Sequence, residues 1–335
     1  MLPPRLVDGG LLAGLVVLLA TGVTSLVSGH PSDAWVFTVH AVAGVVLVGL
    51  LAAKLWRVRD RIRSRVSVLL AIVAGGALLS GLAWVFGASL SIGPWGLLNL
   101  HIGLGLLVVP FLVIHLRTRF HLPRRADFAD RREALSFGLL LGAGMAAWRV
   151  QGAVNDALDT VGARRRFTGS RERGSRAGNR FPITSWVADD PGPIRASEWT
   201  LTVTGGPEPL ELTYGDLTPE TTKSALLDCT SGWYSEHDWQ GVRVGDLLDM
   251  ADAKGKWVQF RSVTGYRWSF PIAEARESLL ATHVDGERLS HGHGFPIRLV
   301  VPDRRGFQWV KWVTEVRVSD RRDRSEWLAV FVSGF

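Results

Sequence analysis

Apolar residues fall in long unbroken blocks over the first 150 positions and in short alternating ones thereafter. Residues 11–28, 35–53, 67–88 and 97–116 are runs with almost no charge. Each approaches the roughly 20 residues a helix needs to cross a hydrocarbon core. A fifth run, 135–150, is shorter and carries Arg149 near its end. It reads as a marginal span, the alternative being a helix on the membrane surface. The pattern predicts an N-terminal all-α transmembrane bundle of five helices over residues 1–150. Residues 1–10 carry one Arg and lead straight into the first run, so no cleavable signal peptide is expected.

Residues 151–180 are rich in Arg, Gly and Ser, with few apolar positions to bury, and read as a linker. From 181 to 335 short stretches alternate with turn signals. Strand character marks 199–204, 257–262, 297–301 and 315–318, and short helices are expected over 244–253 and 272–280. The mixture predicts a C-terminal α+β domain.

The net charge of +7 raises the question of nucleic acid, and the placement of the charge answers it. Arg57, Arg59, Arg61, Arg63 and Arg65 lie between the second and third runs. Arg117, Arg119, Arg124, Arg125, Arg131 and Arg132 lie between the fourth and fifth. The other two connections, 29–34 and 90–96, hold no Lys or Arg. This is the positive-inside pattern, and it implies contact with membrane lipid and no nucleic-acid partner. It puts the N-terminus in the cytoplasm of a multi-pass protein of the inner (plasma) membrane. With five spans, the C-terminal domain is extracytoplasmic. Arg131-Arg132 just before the fifth run also resembles the signal for export of folded proteins. Simple positive-inside anchoring accounts for the same pair.

Histidines inside apolar runs are the first candidate chemistry. His101 and His115 are fourteen positions apart on the fourth run. At 100° and 1.5 Å per residue they differ by about 40° around the axis and about 21 Å along it. His40 lies near the start of the second run, which crosses in the same direction, so His40 and His101 share a depth near the outer surface. Two imidazoles at one level suit the clamping of a b-type haem iron. Gly44, Gly103 and Gly105 would let a flat macrocycle approach. The alternative is a pair of polar residues satisfied between helices. In its histidine spacing this half resembles di-haem four-helix cytochrome b and ferric-reductase-like bundles. His115 is then the candidate for a second, inner haem, but Lys54 stands where its partner histidine would be. His30 and His121 fall in connections and read as solvated.

One cysteine, Cys229, excludes internal disulfides, cysteine-held iron–sulfur clusters and a CxxCH haem. Alone it reads as a core residue. Around it stand Leu226-Leu227-Asp228-Cys229-Thr230-Ser231-Gly232-Trp233 and Trp239-Gln240-Gly241-Val242-Arg243. His293-Gly294-Phe295-Pro296-Ile297-Arg298 and Gly306-Phe307-Gln308-Trp309-Val310-Lys311 follow. Together these resemble the sulfite oxidase family of molybdopterin enzymes over residues 181–320. The resemblance implies Cys229 as the protein ligand to molybdenum, with His293, Arg298 and Lys311 binding the pterin and its phosphate. Asn179 sits where such enzymes begin their cofactor contacts. Gly294 and Gly306 would permit close backbone approach.

Two departures bear on function. Gln308 replaces a basic residue usual three positions before Lys311. The arginines that hold an oxyanion just after the cysteine in sulfite-oxidising members are missing from 230–239. Tyr234, His237 and Asp238 are candidates for the substrate pocket, with an exposed loop as the alternative, and an acidic, aromatic pocket would discriminate against sulfite. The expected function is a membrane-bound molybdenum-dependent oxidoreductase performing oxygen-atom transfer. Reduction of an S- or N-oxide, small or protein-bound, is preferred to sulfite oxidation. Electrons pass through the haem to quinone or another carrier. The arrangement resembles the separate haem and molybdenum subunits of methionine sulfoxide reductase systems. The rival reading is a cytochrome b electron conduit with a non-catalytic, partner-binding outer domain.

Overall fold

A backbone surrounded by apolar side chains must satisfy its own N–H and C=O groups, and the long apolar runs do so as helices. The computed structural model describes residues 3–60, 64–92, 95–119, 131–185 and 189–332. It divides into two units, Met1–Gly169 and Ser170–Phe335. His121 and the surrounding basic stretch lie outside the described residues.

In the first unit, α1 (Pro4–Ser25) begins at a proline, whose missing N–H is harmless in a first turn. A short 3-10 turn, Pro31–Asp33, leads into α2 (Ala34–Val58). Exposed His30 closes that turn. Its ring accepts from Ser32 N–H at 3.1 Å, and the Asp33 carboxylate accepts from His30 N–H at 3.3 Å. Next come α3 (Arg65–Val85), a two-residue hairpin of β1 (Ser91–Ile92) and β2 (Trp95–Gly96), α4 (Leu97–Arg119) and α5 (Arg131–Ala157). Helix α1 packs along α2, α3 along α4, and α5 against α2. Gly10 makes room for Leu50, whose Cδ1 would stand 2.9 Å from a β-carbon there.

Among the described residues four helices, those containing α1 to α4, are long and apolar enough to cross a membrane. Helix α5 is not one of them, for it carries Arg131, Arg132, Glu133 and Arg149. It also runs past Val150 to Ala157, because helix continuation needs backbone hydrogen bonds rather than apolar side chains. The break expected at 150 is therefore absent. Asn155 Nδ2 donates to Val85 O at 3.0 Å, Arg165 Nη1 to the same oxygen at 2.5 Å, and Trp84 Nε1 to Gly169 O at 3.0 Å. These bonds bring the first half of the supposed linker into the helical unit.

The rest of that linker joins the second unit. There β3 (Arg171–Glu172) pairs in parallel with β7. The remaining elements are β4 (Thr200–Thr204), β5 (Leu210–Thr213), β6 (Thr221–Cys229), β7 (Trp233–Arg243), α6 (Val244–Met250), β8 (Trp257–Ser262), β9 (Arg267–Pro271), α7 (Ile272–Arg276), β10 (Leu279–Val284), β11 (Glu287–Arg288), β12 (Arg298–Val300), β13 (Val313–Ser319) and α8 (Glu326–Val332). One sheet runs β11-β10-β7-β3, with β12 on β10 and β6 on β7; the other runs β5-β4-β13-β8-β9. Trp239, Trp268, Trp312 and Phe260 are fully buried core residues of this mixed α/β unit. The helix expected to reach Leu280 stops at Arg276. Leu279 and Leu280 instead pair with Arg243 and Val242 of β7, where their side chains are buried.

Candidate functional site

Cys229 ends β6, directly opposite Trp233 at the start of β7. The turn between them needs a left-handed residue, and Gly232 supplies it at φ +90°. The sulfur is buried, and Ser231 N–H points at it from 3.5 Å. The neighbouring backbone is held firmly. Arg305 donates Nη1 to Asp228 Oδ1 at 2.6 Å and Nη2 to the Cys229 carbonyl at 3.2 Å. Ser170 Oγ donates to the same Asp228 oxygen at 2.6 Å. A β-carbon at Gly306 would stand 3.3 Å from Cys229 Cα, so a small residue is required there.

Three further groups converge from β12 and its flanking turns. Gly294, at φ +109°, closes the 3-10 turn His291–His293 and lets the stems of Arg298 and Lys311 meet beside it. Arg298 is 3 % exposed. Its Nη1 donates to His293 O at 3.1 Å, and its guanidinium lies over the rings of Trp239 and Trp309, 5.0 and 5.7 Å from their centroids. Burial lowers its pKa to about 9. Lys311 Nζ donates to Ser185 Oγ at 2.9 Å and to Gly292 O at 2.8 Å. Burial, and next the charge of Arg298, bring it down to about 7. Cys229 is among the groups that act on both cations, so its sulfur lies within their electrostatic reach.

His293 is buried and neutral. Its Nε2–H donates to Phe181 O at 2.9 Å, its Nδ1 accepts from Ser290 Oγ at 2.7 Å, and burial pushes its pKa down to about 4. Asn179 grips the same turn from outside. Its Oδ1 accepts from Ser290 N–H at 2.8 Å, while its Nδ2 donates to Arg288 O at 2.9 Å and Glu287 Oε2 at 3.2 Å. Asn179 thus positions the His293 turn.

The three residues expected to form a substrate pocket do not act together. They lie on β7, not in a loop, and strand alternation separates them. His237 faces inward with Trp233 and Trp239 and is fully buried, its Nδ1 2.6 Å from Asp285 Oδ2. Tyr234 and exposed Asp238 lie on the opposite face from Cys229, since the register pairs Tyr234 with Asp228 and Asp238 with Ser224.

What this site lacks shows what would complete it. Among the described residues no carboxylate pairs with Arg298, and its buried Nε has no hydrogen-bond partner. A desolvated charge without a counter-ion costs several kcal/mol. Gln308 Oε1, in the position where a basic residue was expected, is also buried without a partner. No three His, Cys, Asp or Glu side chains converge as a metal-binding group among the described residues. A metal on Cys229 would take its other ligands from outside the chain. The donors fit a ligand that is anionic at one end and carries a thiophilic metal at the other.

A family profile described as oxidoreductase molybdopterin binding domain matches residues 188–327. This part of the chain is a molybdopterin-binding oxidoreductase domain of the sulfite oxidase family. The matched segment contains Cys229, His293, Arg298 and Lys311. The chain is 29 % identical over 157 residues to the protein-methionine-sulfoxide reductase catalytic subunit MsrP of Xanthomonas axonopodis pv. citri, covering 40 % of this chain and 49 % of that one. It is 29 % identical over 155 residues to the uncharacterized oxidoreductase YuiH of Bacillus subtilis, covering 44 % and 78 %. It is 32 % identical over 123 residues to the mitochondrial sulfite oxidase of Rattus norvegicus, covering 32 % and 22 %. The chain thus spans about half the length of the sulfoxide reductase subunit it matches.

The histidines of the helical unit form a second candidate site. The rings of His40 and His101 stand 6.1 Å apart between centroids and nearly perpendicular. His101 Nδ1 is 2.8 Å from Ala77 O, and His40 Nδ1 is 2.9 Å from Thr21 Oγ1. His115 Nδ1 is 3.1 Å from Ser67 Oγ. Like His101, it turns toward α3, as their angular offset requires. Lys54 does not reach toward His115, for its Nζ pairs with Asp8 at 2.6 Å. The motifs alone did not expose the supporting residues Ser170, Asp228, Arg305, Ser185, Ser290 and Thr21. The signal that could have found Arg305 is its place beside Arg304, two charges set between the apolar motif residues around Pro302 and Gly306.

Proposed function

We propose that the chain is a membrane-anchored molybdenum-dependent oxidoreductase that reduces an S- or N-oxide and takes its electrons from the membrane through a b-type haem. The observation that carries this reading is a fully buried guanidinium, with no carboxylate paired to it among the described residues, and a half-buried ammonium within electrostatic reach of the Cys229 sulfur. Molybdopterin, when bound, supplies two-electron oxygen-atom transfer. The protein's own part is grip and orientation. Cys229 would hold the metal, with its backbone fixed by Arg305 and Gly306. Arg298 and Lys311 would hold the phosphate, and neutral His293 would keep the turn between them in place. Two protons and two electrons convert an oxide to its parent compound and water. The stretch 230–238 offers no cation to hold sulfite, which favours a neutral oxide as substrate.

His40 and His101 would hold the haem. Haem, when bound, supplies one-electron exchange with quinone or another carrier. The support is their shared level, their separation, and the occupation of each Nδ1 by a neighbour. The pairing of Lys54 with Asp8 favours a single haem. Basic connections after α2 and α4 support a cytoplasmic N-terminus.

The test is metal and pterin analysis of the purified full chain, followed by a screen of sulfoxides, N-oxides and sulfite. Molybdenum near one per chain and turnover of oxides is the expected result, with Cys229→Ser folded but inactive. Retained activity in that variant, or a chain without molybdenum, would refute the reading and leave the electron-conduit alternative.

A further inference from the structure

Arg164–Asp159 and Arg276–Asp249 are ion pairs of the surface, where water screens both charges. Asp228–Arg305 is of another kind. Its side chains are 3 % and 4 % exposed, and it adjoins the one cysteine of the chain. The carboxylate belongs to the residue before Cys229, and Arg305 Nη2 reaches past it to donate to the Cys229 carbonyl at 3.2 Å. Arg305 Nη1 donates to Asp228 Oδ1 at 2.6 Å, the oxygen that also takes the Ser170 proton. The two backbones pair as well, in a parallel bridge. Anchoring a loop needs no charges. Apolar side chains of similar volume would hold it as firmly, because stripping water from two ions consumes most of their attraction. What the charges add is a field at Cys229. Asp228 alone would put an anion one residue from the sulfur, in an interior that screens poorly. Arg305, which stays charged, cancels it.

We propose that Arg305 is a positioning residue that cancels the Asp228 charge beside Cys229 and so sets the reduction potential of the centre bound there. The proposal rests on the molybdenum reading given above. Reducing the metal adds negative charge next to the sulfur. An uncancelled anion opposes that gain and lowers the potential, whereas removal of the anion favours it and raises the potential. Hydrogen bonds and charges around a ligand act on a metal centre in this way. Arg305→Gln and Asp228→Asn therefore act with opposite signs, although each breaks the same pair. Loss of packing alone would not reverse sign between them.

The experiment is a redox titration of the purified full chain, followed by the paramagnetic resonance signal of the half-reduced metal. The proteins are wild type, Arg305→Gln, Asp228→Asn, the double variant of both, and Arg276→Gln as the surface control. Arg305→Gln should weaken the centre's hold on one added electron about tenfold, a fall of about 59 mV. Asp228→Asn should raise the potential by a similar amount. The double variant, neutral again, and Arg276→Gln should stay near the wild-type potential. If Arg305→Gln holds no metal, Asp228→Asn decides alone: a rise supports the proposal, and an unshifted value overturns it. Single variants that shift in the same direction, or a double variant that falls like Arg305→Gln, also overturn it. A wild-type chain without molybdenum overturns the molybdenum reading itself, and this inference with it.

Discussion

Lys311 shows how one half-buried side chain couples cofactor binding to pH. In the unfolded chain its ammonium keeps an ordinary pKa of 10.5, whereas burial in the folded, cofactor-free site lowers it to about 7. Between those values the unfolded state binds more protons, so this residue makes stability rise with pH. The burden is fully present below about 7 and fully relieved above 10.5. Cofactor-free wild type should therefore gain denaturant resistance from pH 7 to 9.5 relative to Lys311→Met, as read from urea midpoints at each pH. Equal pH slopes in the two proteins would contradict the placement of Lys311. Bound phosphate should restore the charge, so cofactor should release more readily in alkali from wild type than the variant's already weakened site would indicate. At the same scale, Cys229 was legible as a site only through its company. A lone cysteine in an apolar run has the composition of a core residue, and it is buried like one.

At the scale of elements, strand alternation and one left-handed turn decide the geometry. Cys229 faces the same side of the sheet as Trp233 and His237, and this follows from register, which no local pattern discloses. That register also turns Tyr234 and Asp238 to the other face and removes them from the substrate pocket. Gly294 matters for a different reason. Its φ of +109° is strained for any side chain, and a β-carbon would lie 2.9 Å from that of Arg298. Gly294→Ala should lower the stability of the domain by about 1–3 kcal/mol. It should also reduce bound molybdenum, because the stems of Arg298 and Lys311 would be pushed apart. Chemical denaturation and metal analysis of one preparation check both effects; unchanged molybdenum would show that the turn does not set the spacing of the cations. The strands 257–262 and 315–318 were readable from β-rich composition. By contrast β6 and β7, which carry the site, were not, since Gly, Asp and Glu interrupt them.

For the whole molecule, the topology turns on α5. Four helices qualify by length and apolarity, and an even number of crossings would return the chain to the side where it began. Helix α5 must supply the odd crossing if the molybdopterin domain is to lie outside, yet it bears charges at its start and at Arg149. A reporter fused to the C-terminus that works only outside the cytoplasm is the expected outcome. A reporter active inside would mean that α5 lies along the surface and that the domain faces the cytoplasm.

The sequence by itself determined the elements that depend on local pattern and chemical type. Apolar runs of spanning length, basic connections, a sole cysteine and a late cluster of His, Arg and Lys all lie in consecutive residues, and each carries its meaning without neighbours in space. Only tertiary structure decided the relations among distant residues. It joined Ser170 and Arg305 to Cys229, Asn179 to the His293 turn, Thr21 to His40 and Lys54 to Asp8. It also left the buried guanidinium of Arg298 with no paired carboxylate among the described residues. Hydrogen bonding and desolvation act over a few ångströms in space, across separations in the chain that periodicity cannot register.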